Sequence, residues 1–401
     1  MGKITIYICH VLFILLSCSG NKHDQNKEVH KIEVGITKDI QKSSWEDFIQ
    51  DINFIPLETT SNGIVSEIQK IMIRDNRIYI QCFGKKGIFI FTSEGKFIKN
   101  ICTLGKDPFK VNYLFDFSIS PKGIIYAMDN GKILTFDKDG NPLKEFFFVP
   151  DLKGLGHETN LSVFNEDSIY LWHASAGEGR QFHLSRTNLK GRIQEIMIPY
   201  SHFSFSAERF VEVGDNEYAI TPPSLYDTIY AIVQGRIEKK FILNIKDNII
   251  GIEPLIAQNN EDFYTSNQLI KYISENKLSV IHGNIVYNSD YLIFNLHNPG
   301  YGVLNRCLIN LKTGLVNYFD HSSEPENLFY PGKIHLCYND KMISSLEGYQ
   351  VCQLLEENKT NCSFISQEHK QELLNKLKTV NELDNPVLME ITLKNAAKYE
   401  N

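Results

Sequence analysis

The chain has 401 residues, a formal net charge of −7 and 42% hydrophobic residues. This mildly acidic balance lacks the basic stripe that nucleic acid requires, so no nucleic-acid partner is expected. The 19 Tyr and 25 Phe lean towards strands, and past residue 17 no apolar run is long enough to cross a membrane as a helix.

The first element is a targeting segment. Lys3 and the apolar run from Ile4 to Leu16 read as a secretory signal. It ends in Leu15-Leu16-Ser17-Cys18, which resembles a bacterial lipobox, with cleavage leaving Cys18 as the lipidated first residue. Removing residues 1–17, with Lys3 as their one charge, turns −7 into −8. One acyl chain binds membranes only marginally, at about 0.8 kcal/mol per buried CH₂, whereas the two or three chains of a bacterial lipoprotein hold firmly. The expected address is the cell envelope, as an outer-membrane lipoprotein partnered by the membrane through Cys18. The polar stretch Asn21 to Glu28 opens a tether over residues 18–45.

From there a short β-rich run, a tight polar turn and a second β-rich run recur. The pattern appears as IQKIMI-RDN-RIYIQC, LFDFSIS-PKG-IIYAMD, NLSVF-NED-SIYLWH, RFVEV-GDN-EYAI, NIVY-NSD-YLIFNL and KIHLC-YND-KMISSL. Turn centres fall near Asp75, Lys122, Asp167, Asp215, Ser289 and Asn339, at gaps of 47, 45, 48, 74 and 50 residues. A second hairpin follows most of them, marked by Gly95, Gly140, Gly191, Gly235 and Gly314. Two hairpins per unit make four strands, the period of a β-propeller blade. Six inner hairpins predict an all-β, six-bladed propeller over residues 46–401.

Two departures from that period read as helices. The long gap holds Gly251 to Ser279, where Phe263, Leu269, Ile270 and Ile273 have helical spacing. Ser366 to Val380 is an amphipathic C-terminal helix with Ser366 as its N-cap. The run from Phe48 to Leu57 and that from Pro386 to Leu393 read as strands which together complete one blade.

Six cysteines remain once Cys9 leaves with the signal and Cys18 is modified. Cys352 and Cys362 are the nearest pair, readable as a disulfide or as buried thiols; no Cys-x-x-Cys supports zinc or redox chemistry.

The stretches FIPLETT (Phe54 to Thr60), KIMIRDNRIYI and GIFIFTSEGKFIKNI, with Asp227-Thr228-Ile229-Tyr230 and Asp384-Asn385-Pro386-Val387-Leu388, resemble the six-bladed β-propeller lipoproteins of Bacteroidota. That family is related in architecture to NHL-repeat propellers. The resemblance spans nearly the whole mature chain and implies the fold more than a chemistry. The chain departs from it in one loop: Gly105-Lys106-Asp107-Pro108-Phe109-Lys110 stands where relatives carry a Gly-rich G-x-G-P-G-E-Y-like turn.

Chemical motifs are sparse. Asp137-Lys138-Asp139-Gly140-Asn141 opens like a calcium loop, but its twelfth position is Phe148, so it reads as an Asp-Gly hairpin turn. Gly177-Glu178-Gly179-Arg180 does not lead from a strand into a helix, as a phosphate cradle must. There is no His-Glu-x-x-His and no Gly-x-Ser-x-Gly. No cofactor, metal site or catalytic residue is therefore assigned.

Propeller ligands are met by loops at one end of the channel, which here would carry Phe109, Tyr113, Asp129, Trp172, His173, Arg180, Tyr226, His297, Tyr301 and Arg306. The ligand-binding candidates are Tyr113, Trp172, His173, Arg180, Tyr301 and Arg306, aromatic and basic groups suited to a glycan, a peptide or a partner protein. The expected function is a binding or scaffold lipoprotein. The alternative, drawn from the NHL-like resemblance, is a metal-dependent lactonase or lyase, for which the channel ends of the first strands offer only Asp116, Arg209, Asn284 and His335.

Overall fold

The computed structural model describes residues 29–34, 41–82, 84, 87–129, 132–147, 158–173, 182–190, 192–199, 210–214, 216–221, 227–245, 266–298, 300, 302–320 and 325–395. The chain divides into two units, Met1–His30 and Lys31–Asn401. Only residues 29 and 30 of the first are described, and Cys18 with its lipobox lies outside the described residues.

Two strands come first, β1 (His30–Val34) and β2 (Ile49–Pro56). Blade 1 is β3 (Ile68–Arg74), β4 (Arg77–Cys82), β5 (Ile88–Thr92) and β6 (Phe97–Ile101). Blade 2 is β7 (Asp116–Ile119), β8 (Ile125–Asp129), β9 (Lys132–Phe136) and β10 (Pro142–Phe147). Blade 3 is β11 (Glu158–Asn165), β12 (Ser168–His173), β13 (Phe182–Thr187) and β14 (Ile193–Pro199). Blade 4 is β15 (Phe210–Gly214), β16 (Glu217–Ile220), β17 (Thr228–Val233) and β18 (Arg236–Ile245). A helix, α1 (Ser266–Glu275), leads into blade 5: β19 (Val280–Tyr287), β20 (Tyr291–Asn298), β21 (Val303–Asn310) and β22 (Val316–Asp320). Blade 6 has β23 (Lys333–Tyr338) and β24 (Lys341–Leu346), then α2 (Gly348–Glu356) and α3 (Gln367–Leu377), then β25 (Val387–Leu393).

These strands form six antiparallel sheets arranged as a six-bladed propeller. The turns show why the hairpins form where they do. Asp75 and Asn76 both have positive φ, 49° and 55°, as do Asn339 and Asp340, 48° and 59°. A two-residue hairpin turn whose twist matches its strands needs that conformation twice, and Asn and Asp tolerate it.

The ring closes as the sequence reading expects. Blade 6 has the order β2-β25-β24-β23, so its outer strand comes from the start of the chain. The pairing runs from Ile49↔Leu393 through Phe54↔Met389 to Pro56↔Val387. Ile52, Phe54, Val387, Leu388, Met389 and Ile391 are all buried there. A buried apolar cluster joins four inner strands through Ile71 and Ile73, Val211 and Val213, Ile281 and Ile285, and Leu336.

The stretch expected as tether up to residue 45 is shorter than predicted. β1 adds a fifth strand to the outer edge of β18, with Ile32 and Val34 buried and Asn244 Nδ2 donating to Glu33 Oε1 at 2.6 Å. Ser43 N–H then donates to the Tyr318 carbonyl at 2.8 Å, and Trp45 stacks on Phe319 at 4.0 Å. An amphipathic strand beside an open sheet edge pairs with it, because the edge offers unpaired backbone groups.

The helices match in part. Ser366 Oγ accepts from His369 N–H and caps α3 as predicted, and α1 lies inside the predicted insertion. Sequence reading missed α2. All six described cysteines are free, so Cys352 and Cys362 are not bonded; Cys352 Sγ lies 3.5 Å from the Val380 carbonyl.

Truncation after Asn381 removes β25 and strips β2 and β24 of their partner. Burial of a large apolar side chain contributes about 1.5–3 kcal/mol, so losing Val387, Leu388, Met389 and Ile391 costs an amount comparable to a whole domain's net stability of roughly 5–15 kcal/mol. The expected outcome in a thermal melt is aggregation or loss of the cooperative transition. A truncated chain melting as sharply as the full one contradicts the closure.

Candidate functional site

In an antiparallel blade the start of the first strand, the end of the second and the start of the third lie at one end of the sheet. Across the propeller these ends form one face, here termed the entry face, surrounding the inner strands.

The connection from β6 to β7 builds one firmly held part of that face. Asp129, buried at the end of β8, accepts the N–H groups of Asn112 at 3.0 Å and Tyr113 at 3.1 Å. Lys132 Nζ donates to the Lys110 carbonyl at 2.8 Å, and Phe109 N–H donates to Glu145 Oε1 at 2.6 Å. Within the loop, Gly105 N–H meets the Val111 carbonyl and Val111 N–H the Thr103 carbonyl. A carboxylate accepting two backbone N–H bonds fixes a loop more firmly than neutral contacts do. What the loop presents is Leu104, 51% exposed, and Tyr113, 46% exposed, whose ring stands edge-on to Phe115 at 4.8 Å.

Inside the ring the charged side chains hold blades to one another. Lys70 of β3 lies 3.0 Å from Asp116 of β7, both buried, and Asp116 Oδ2 also accepts Leu161 N–H of β11 at 2.7 Å. One carboxylate thus touches three consecutive blades. Ser118 Oγ repeats the step, accepting Val163 N–H at 3.0 Å. Arg74 of β3 meets Glu212 of β15 at 2.5 Å, crossing from blade 1 to blade 4, and Tyr218 OH donates to the Ile119 carbonyl of blade 2 at 3.2 Å.

The sequence-derived candidates separate against this geometry. Tyr113 is a loop residue open to solvent. Trp172 and His173 are not: both lie on β12 and are wholly buried. Trp172 stacks on His183 at 4.8 Å and 7°, and His173 Nε2 is 2.8 Å from Ser185 Oγ. Arg306 also sits on a strand, β21, and is 3% exposed. Its guanidinium donates to the carbonyls of Pro331 at 3.1 Å and Gly332 at 2.9 Å and lies 6.0 Å from the Trp45 ring, and burial lowers its pKa to about 10. The placement of these three as loop-end residues is corrected. A second or third strand of a blade packs on both faces, so its bulky side chains are core. Arg180, Tyr301 and Tyr226 lie outside the described residues.

Of the residues nominated for an enzymatic channel, the three described ones form no metal-ligand group. Asp116 pairs with Lys70. His335 is buried, its Nε2 2.8 Å from Ser345 Oγ, and desolvation lowers its pKa to about 3, so its ring is neutral. Asn284 Nδ2 donates to the His335 carbonyl at 3.4 Å, and Arg209 lies outside the described residues. His282 and His297 face each other on adjacent strands with ring centroids 6.1 Å apart, and burial holds both below the usual histidine range. Among the described residues no three His, Cys, Asp or Glu side chains gather as metal ligands. Sequence reading missed the ties of Lys70, Arg74 and Glu212, although cations inside the apolar run IQKIMIR were the available sign.

The sequence profile of DUF4934, a domain of unknown function, matches residues 28–392. The chain belongs to this family. Among solved structures, this DUF4934 chain is similar to a Bacteroides fragilis protein described as exported, with 13% identity, a TM-score of 0.71 and coverage of 91% of this chain and 99% of that one. That likeness is one of fold. A member of the DUF4221 family from Bacteroides vulgatus is similar at 12% identity and a TM-score of 0.47, covering 86% and 98%. A gluconolactonase from Xanthomonas campestris follows at 9% identity and a TM-score of 0.41, covering 88% and 94%. Scores that low carry no argument about this chain. No curated protein matches it.

The corrected placement has a measurable consequence. Trp172→Ala leaves a cavity in a packed core and lowers stability by about 3–5 kcal/mol, whereas Tyr113→Ala, on an exposed loop, changes it by roughly 0.5 kcal/mol or less. Urea titration of the two variants reads this difference. Equal, small losses contradict the burial of Trp172.

Proposed function

We propose that this DUF4934 chain is an exported, lipid-anchored propeller that acts by binding a glycan, a peptide or a partner protein at its entry face. The observation that carries the reading is the β6–β7 connection, in which a buried carboxylate fixes a loop that presents Tyr113 and Leu104 to solvent. A loop ordered before it meets its ligand loses little conformational freedom on binding. The ring's buried charges, by contrast, are engaged in holding blades together, which is a structural use for groups a propeller enzyme would keep for chemistry. Tyr113, Arg180 and Tyr301 are carried forward as ligand contacts. Export and the anchor on Cys18 rest on the Leu-Leu-Ser-Cys segment, and the Bacteroides fragilis protein of like fold is itself described as exported.

The test is a glycan array and a peptide panel probed with the full-length chain and with Tyr113→Ala, alongside palmitate labelling of wild type and Cys18→Ala. The expected result is a ligand whose affinity falls more than about tenfold in Tyr113→Ala, since truncating an aromatic contact costs a couple of kcal/mol, and labelling that depends on Cys18. Calcium-dependent hydrolysis of a lactone by the wild-type chain, with no ligand captured, overturns the binding reading in favour of the NHL-like enzyme.

A further inference from the structure

A second part of the entry face, at the junction of blades 6 and 1, has features of its own. The connection from β2 to β3 and the end of the insertion that leads into β25 meet there through one side chain. Asn385, 2% exposed, donates from Nδ2 to the carbonyls of Glu58 at 2.9 Å and Gly63 at 2.5 Å, and its Oδ1 accepts Val65 N–H at 2.8 Å. Its own N–H donates to Thr59 Oγ1 at 2.9 Å. The turn just before it is equally fixed, with Asn381 N–H and Nδ2 both donating to Asp384 Oδ2 at 2.8 and 3.0 Å. The start of α2 presses on that turn so closely that a Cβ on Gly348 would stand 2.6 Å from the Asn381 carbonyl.

These fixed segments hold three large apolar side chains out in water. Leu383, at the tip of the turn, is 93% exposed, Ile64 is 59% exposed and Tyr349 is 48% exposed. Each is next to a residue of the Asn385 or Gly348 contacts just described, so the backbone segments that carry the three lie side by side. Rigidly presented apolar groups mark interaction sites more than scattered ones do.

The charge around the patch is mainly negative. Residues 57–67, 347–350 and 379–386 carry Glu58, Glu67, Glu347, Glu382 and Asp384, and no Lys or Arg. Lys333 reaches in to pair with Glu67 at 3.2 Å, while Lys378, at the end of α3, turns to Asn375 at 3.1 Å. Burial, with the neighbouring charge of Glu67, holds the Glu347 carboxyl above its usual range, against the opposing charge of Lys333.

We propose that the Ile64–Tyr349–Leu383 patch docks a polypeptide segment of a protein partner in which Lys or Arg alternates with apolar side chains. This rests on the binding reading and names its partner class at a different part of the same face. The chemistry selects the occupant. Anionic lipid and nucleic acid are repelled by the carboxylates. A second copy in a two-fold contact would set the same acidic patch against itself, and like charges so juxtaposed cost several kcal/mol. A basic, apolar segment satisfies both the surface and its rim.

The test is fluorescence anisotropy at low salt with a fluorescein-labelled dodecapeptide of alternating Lys and Leu, against alternating Glu–Leu and Lys–Ser dodecapeptides, using the full-length chain. The expected result is saturable binding of the Lys–Leu probe that weakens with salt, with both control peptides at least about tenfold weaker. Leu383→Ser and Ile64→Ser each lower affinity by about tenfold, the equivalent of one large apolar contact, with the melting temperature unchanged. Binding of the Glu–Leu peptide as tightly as the Lys–Leu probe overturns the proposal. So does unchanged Lys–Leu binding in both variants; if the wild type still captures a ligand on the glycan or peptide arrays, the binding reading survives and only this patch is wrong. A dimer in sedimentation that Leu383→Ser dissolves overturns it in favour of a second copy.

Discussion

The constraint on which the molecule depends is that a four-stranded antiparallel blade has two apolar faces and can bury them only on other blades. A row of such blades is stable only when its last blade packs on its first. In this chain the last blade cannot be finished without the first strand, because β2 is its outer member. Backbone hydrogen bonds between β2 and β25 therefore do for the whole ring what a hairpin does for one pair of strands. The added pairing of β1 with β18 and the stacking of Trp45 on Phe319 extend the same principle to the blade edges.

Between the blades, the ties repeat. Tyr79 of β4 donates its hydroxyl to the Lys138 carbonyl at 2.9 Å, Tyr170 of β12 to Gly235 at 2.8 Å, and Tyr291 of β20 to Lys394 at 2.9 Å. In each case the tyrosine lies on a second strand, and the carbonyl follows the third strand of the next blade. A tyrosine can do this because its ring belongs in the core while its hydroxyl needs one polar partner. At the ring centre the ties are ionic. Lys70–Asp116 and Arg74–Glu212 are deeply buried, where desolvation largely offsets attraction. Breaking one partner would strand a charge, so Lys70–Asp116 sets blade 1 beside blade 2 and Arg74–Glu212 ties blade 1 across to blade 4 more than either adds stability.

How far the sequence carried depends on whether the deciding physics is local. The hairpins were legible because Asp75-Asn76 and Asn339-Asp340 are turn chemistry written in adjacent residues, and because blade strands need bulky apolar side chains. Closure was legible because a strand before the first hairpin and one after the last have no other partner. The helix cap at Ser366 was local too. The candidate site was much less legible. Trp172, His173 and Arg306 look like ligand contacts by residue type, yet whether a side chain near a strand end faces solvent or the next blade is decided by packing that spans blades. The opposite error hid the entry face's fixed loops. Asp129 and Asn385 organise them from 16 and about 320 residues away respectively, and nothing in either local pattern says so. β1 escaped because five residues with two buried side chains are too short a run to stand out from a polar tether.

If β2 and β25 close the ring, the two ends of the propeller form one cooperative structure with it. Native-state hydrogen exchange of the full-length chain tests it most directly, because it separates local opening from global unfolding strand by strand. The expected result is that the paired amides of β2 and β25 exchange only through global opening, with protection equal to that of β4 and β20. Exchange of β2 amides through local fraying, markedly faster than in β4 and β20 while those strands stay protected, would contradict it.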